Sequence, residues 1–121
     1  MKRLALILLV SLAGCSSMSS LGRLFPKTYD PVMGDKYVRL NLEVNDLDCK
    51  NVEPDKWNIA AFDAKQLAAY SSFRKDPQSD NAASVEKNLN SAMGKAPLVC
   101  DGFLKVAKIR LEVINKAWSG R

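Results

Sequence analysis

The nine residues Lys36-Tyr37-Val38-Arg39-Leu40-Asn41-Leu42-Glu43-Val44 decide between two folds. Read in steps of two, Val38, Leu40, Leu42 and Val44 fall on one side of a strand. Read at helical spacing, Tyr37, Leu40, Val44 and Leu47 share one face. The alternation by itself favours a strand near 37–44 and an α+β protein. A lone strand has no evident partner here, and strands need neighbours to be stable. Everything downstream is patterned as helix. The segment is therefore expected to be helical and the protein mainly α.

Working outward, Asn51 to Asp55 reads as a turn, with Pro54 as a first helical residue. Trp57 to Arg74 is Ala-rich, and Ala64, Leu67, Tyr70 and Phe73 fall at helical spacing. Asp63 is a candidate cap for a shorter helix beginning there. Lys75 to Asp80 breaks the pattern, and Ser79 or Asp80 can cap the next helix. Val85, Leu89, Ala92 and Met93 form its face, and Gly94 stops it. Pro97 opens the longest helix, expected over 98–118. Its main stripe is Cys100, Leu104, Ala107, Leu111, Ile114 and Trp118, opposite Asp101, Lys105, Lys108, Glu112 and Asn115. Val106, Ile109 and Val113 widen the apolar side, which suits contact with both a core and a partner. The expected result is a small antiparallel helical bundle.

Composition bounds the function. A chain of 121 residues holds one domain at most. Its 47% hydrophobic and 26% charged residues are ordinary for a globular protein. There is no His. That removes His-based nucleophile systems, imidazole metal ligands and His-held haem. No Gly-rich phosphate loop or G-x-S-x-G occurs. Asp46, Asp48, Glu53 and Asp55 surround Cys49, but the spacing matches no calcium loop and Lys50 and Lys56 are interleaved. The net charge is +5, with no basic cluster interleaved with aromatics, so nucleic-acid binding has no support. The expectation is a binding protein without enzymatic activity, cofactor or metal.

The first residues speak to compartment. Met1-Lys2-Arg3 is a basic start, Leu4 to Leu12 is an apolar run, and Ala13 and Gly14 are small. This is the layout of a secretory signal peptide over residues 1–14. The run is shorter than the roughly 20 residues a spanning helix needs. Leu12-Ala13-Gly14-Cys15 resembles the lipobox of bacterial lipoproteins. The resemblance implies that Cys15 is lipidated and becomes the first residue of the mature chain. Ser16 stands where an Asp resembles an inner-membrane retention signal, which implies the outer membrane, with the domain facing the periplasm.

Cleavage removes Lys2 and Arg3 and leaves a net charge of about +3. Residues 15–34 read as a lipidated, flexible tether: Ser16 to Gly22 is Ser/Gly-rich, and Pro26, Pro31 and Gly34 keep the chain irregular as far as Asp35. Phe25, Tyr29, Val32 and Met33 are apolar for a pure linker and suit docking on the domain or a partner. Residues 35–121 form the globular helical domain. With Cys15 acylated, Cys49 and Cys100 remain, and in an oxidising compartment such a pair bridges. Their spacing and number fit neither a redox pair nor a zinc site. The bridge closes a loop worth about 4 kcal/mol in the chain-entropy account.

A tethered, disulfide-stapled bundle is similar in layout to the helical pilotins of secretion-system secretins. The resemblance rests on Cys49 after the first element and Cys100 opening the last, with Phe103 and Leu104 behind it. It implies a small outer-membrane lipoprotein that grips a secretin C-terminal segment and carries it to that membrane. Leu67, Tyr70 and Phe73 on the middle helix and Val106, Ile109 and Val113 on the last are the candidate partner-binding residues. Two other readings remain open: an exclusion or inhibitor lipoprotein acting on an envelope protein, and a structural envelope lipoprotein.

Overall fold

The computed structural model describes residues 30–120. Cys15, the leader and the tether as far as residue 29 lie outside the described residues. Four helices follow one another: α1 (Pro31–Asn45), α2 (Pro54–Phe73), α3 (Ser79–Ala92) and α4 (Pro97–Ser119). No strand occurs among the described residues, so the deciding stretch is helical and the α+β alternative falls. Leu40 and Val44 are buried while Val38 and Leu42 are 55% and 67% exposed. That split belongs to a helix, where residues two apart point to opposite sides.

Three of the helices start on a proline, at Pro31, Pro54 and Pro97. A proline there forfeits only an amide that would lack a helical partner anyway. This corrects the expected tether boundary. Residues 31–34 already belong to α1. Pro31 and Gly34 look like breakers, but the Asp30 side chain caps the amides of Val32 and Met33 at 2.9 and 3.4 Å. Met33 is buried, whereas Val32 is half-exposed.

Two expected caps are also displaced. Asp63 lies in the interior of α2, which begins at Pro54. Ser79 and Asp80 are inside α3, and the Gln78 amide donates to Asp76 Oδ1 at 2.8 Å instead. Between α2 and α3, Lys75 takes a left-handed conformation at φ 53°. The Asp76 amide reaches Ser71 O and the Lys75 amide reaches Ser72 O, both at 2.9 Å. These two bonds form a Schellman closure, usually built on glycine. Gly94, at φ 75°, plays the ordinary glycine part after α3.

The helices close into a ring in chain order: α1 packs on α2, α2 on α3, α3 on α4, and α4 back on α1. Helices α2 and α4 sit across the diagonal, with no close approach of their backbones. Trp57, Leu40, Leu67, Leu89, Leu111 and Ile114 fill the centre. The whole expected α4 stripe, Cys100 to Trp118, is buried. A Cys49–Cys100 disulfide ties the loop after α1 to the first turn of α4, with the Cα atoms 5.9 Å apart.

Candidate functional site

The alternation that made residues 38–44 ambiguous has a structural meaning. Leu40 and Val44 form an i, i+4 pair facing the core, and Val38 and Leu42 form a second pair facing outward. Helix α1 therefore carries two apolar faces. Alongside it, Ile59 and Phe62 of α2 are 49% and 59% exposed. Between the two helices runs an open cleft of about 620 Å³. Val38 and Leu42 line it with Arg39, Glu43, Asp63 and Gln66. Ile59 borders a smaller hollow beside it, with Glu43, Asp46 and Lys56.

Three of the residues lining the cleft form an ionic set. Arg39 Nε lies 3.1 Å from Glu43 Oε1 and 2.9 Å from Asp63 Oδ2. Asp63 is thus explained: its mid-helix carboxylate answers an arginine on the neighbouring helix. Glu43 Oε2 is buried without a hydrogen-bond partner. Burial pushes the Glu43 carboxyl above its usual range, and the approach of Asp63 adds to this against the pull of Arg39. Lys36 Nζ donates to Gln66 Oε1 at 3.3 Å across the same seam. The arrangement offers apolar side chains beside charges of both signs and a carboxyl held above its usual range, which suits reversible binding of a side-chain-rich segment.

Three of the four acidic residues around Cys49 have structural employment. Asp48 Oδ1 accepts the Lys50 amide at 2.8 Å. Lys56 Nζ pairs with Asp46 at 2.9 Å and Glu53 at 3.2 Å. Among the described residues no group of three or more His, Cys, Asp or Glu could hold a metal ion.

The six expected partner-binding residues do not line one groove. Leu67 is fully buried in the core and offers no surface. Tyr70 is partly buried, and its hydroxyl donates to Asp30 Oδ2 at 3.1 Å. Phe73 stands 81% exposed at the end of α2. Val106, Ile109 and Val113 are exposed along α4. Because α2 and α4 are diagonal, no cleft can form between the two sets. Val38, Leu42, Ile59 and Phe62 were not singled out as binding residues. The signal for the first two was the alternation itself, once read on a helix.

No described helix is long and apolar enough to cross a membrane. No protein-family model matches the chain, and comparison with curated proteins and with solved structures gives no match either.

Proposed function

We propose that the protein is an outer-membrane lipoprotein, anchored through Cys15, whose bundle holds an amphipathic helical segment of an envelope partner on the α1–α2 face, in the manner of a pilotin. The observation that carries this reading is the exposed apolar pair Val38 and Leu42 lining a cleft together with charged side chains, with Ile59 at the hollow beside it and Phe62 exposed on the same helix as Ile59. Burying a large apolar side chain there contributes roughly 1.5–3 kcal/mol, less the cost of ordering the segment. Three or four such contacts bring micromolar binding within reach. The Leu12-Ala13-Gly14-Cys15 sequence supplies the anchor in this reading.

The test has two arms. In cells, a photocrosslinker at Leu42 captures the partner segment, and Leu42→Asp with Phe62→Asp abolishes capture while leaving the melting temperature near that of the native chain. Labelled fatty acid is incorporated at Cys15, and Cys15→Ala binds the same partner but leaves it in the wrong membrane. A partner that reaches its membrane without the lipid removes the carrier role. Capture that is indifferent to both aspartates removes the α1–α2 face.

A further inference from the structure

Helix α4 has a second apolar face that the bundle does not use. Val99, Val106, Ile109 and Val113 are 38–49% exposed, on the side away from the Cys100–Trp118 stripe. With Gly102 and Lys116 they follow spacings of three and four without a break, the seam of a two-stranded coiled coil. A Cβ built on Gly102 would meet nothing within 4 Å, so the seam is open at that point. We propose that this face pairs with the same face of a second copy of the chain, the two α4 helices running antiparallel about a two-fold axis.

The charges flanking the seam choose both occupant and direction. On one flank stand Lys105 and Glu112, and on the other Phe103 and Arg110. Antiparallel helices bring like flanks together. When Val106 of one copy faces Ile109 of the other, Lys105 meets Glu112 twice and Phe103 meets Arg110 twice. The first contact is an ion pair and the second a cation over an aromatic ring. In the same register Val113 of each copy faces the gap left by Gly102 of the other. Lys116 ends the seam, where its stem can lie along apolar surface with its charge in water.

The other arrangements fail on charge. Sliding one copy a heptad in one direction sets Lys105 against Lys105. Sliding it in the other sets Glu112 against Glu112 and Arg110 against Arg110. Running the helices parallel sets Lys105 beside Arg110, Gly102 on Gly102 and Lys116 on Lys116. Within the monomer, Glu112 pairs with Lys116 at 2.8 Å and Arg110 donates to Asn81 Oδ1 at 3.1 Å, exposed contacts that are readily exchanged. The seam from 99 to 116 is about 25 Å long. One helix pair of that length gives a small interface and a dimer of roughly micromolar strength. Because no α4 residue lines the α1–α2 cleft, the pairing leaves that cleft open on each copy.

Sedimentation equilibrium of the full-length chain in density-matched detergent tests this. A monomer–dimer equilibrium is expected, weakened more than about tenfold by Ile109→Asp with an unchanged melting temperature. Lys105→Glu weakens it severalfold, and adding Glu112→Lys to the same chain restores it. Co-expressed Lys105→Cys and Glu112→Cys copies crosslink to each other, while neither crosslinks to itself. A chain monomeric at 100-fold the expected dissociation constant overturns the proposal, as does a dimer indifferent to Ile109→Asp. Charge reversal without rescue, or Lys105→Cys joining its own kind, overturns the antiparallel register. Capture at Leu42 reads the α1–α2 face separately, so either surface can fail alone.

Discussion

The two ends of the bundle are closed by different chemistry. At one end a covalent bridge joins Cys49 to Cys100. At the other, where the described chain begins, two buried aspartates do the fastening. Asp30 caps α1 with one oxygen and uses the other to accept the Tyr70 hydroxyl and to pair with Arg74 at 3.3 Å. Asp76 takes the Gln78 amide and the Trp118 indole Nε1 at 3.2 Å, joining the α2–α3 turn to the end of α4. Trp118 in turn meets Tyr37 edge-on, with ring centroids 6.0 Å apart. A disulfide acts mainly by restricting the unfolded chain. A buried carboxylate acts in the folded state, and only while its partners stay matched. One end thus responds to reductant and the other to protons and to single-atom changes.

The largest expected effect breaks the covalent end. Reducing the protein, or replacing Cys49 and Cys100 by Ser, is expected to cost about 2–5 kcal/mol in urea unfolding. An unfolding midpoint that does not move with reductant would put the weight of that end on packing instead. At the opposite end, Asp76→Ala leaves the Trp118 indole and the Gln78 amide without their acceptor. A loss of roughly 1–3 kcal/mol is expected, read by urea unfolding, together with a change in tryptophan emission.

Protons sharpen the comparison because two carboxyls carry opposite signs. For Asp30, burial raises the carboxyl, but the amides of Val32 and Met33, the Tyr70 hydroxyl and the Arg74 charge more than offset it. Its folded value is therefore depressed. The stability it contributes is present above the unfolded carboxylate value and is lost as pH falls through the folded one. Native chain and Asp30→Asn should converge in stability as the solution is acidified from neutral. Glu43 in the cleft is raised, so its contribution is present at low pH and lost as pH rises through the folded value. Glu43→Gln should gain on the native chain as pH rises, and parallel urea titrations at pH 3 to 7 read both. The smallest effect is a gain: Lys75→Gly removes left-handed strain at φ 53° and is expected to add about 1 kcal/mol, measured as a rise in unfolding midpoint.

Much of this architecture is legible in the residues. The α4 stripe from Cys100 to Trp118 is regular enough to read directly, as are the prolines at 54 and 97. The start of α1 is not, because Pro31 and Gly34 are breakers in isolation and only the cap from Asp30 makes them tolerable. The candidate surface is harder still. Tyr70 and Phe73 lie at helical spacing with Leu67, yet a three-dimensional partner decides each: Asp30 takes the Tyr70 hydroxyl, while Phe73 projects past the end of α2. Spacing tells which residues share a face, not which helices become neighbours. That is why the six candidates on α2 and α4 share no groove: the ring order sets those two helices across the diagonal.

The bridge at Cys49 also sets a mechanical stop. Tension arriving through the chain ahead of Asp30 pulls first on α1, at the end held without a covalent link. Peeling can proceed residue by residue, but at Cys49 it meets a covalent link to the first turn of α4. The chain released between Asp30 and Cys49 spans at most about 65 Å when fully extended. Beyond that length the load divides between α2 and the root of α4. The fold is in this sense a short, limited-travel spring, with its slack fixed by the position of one cysteine.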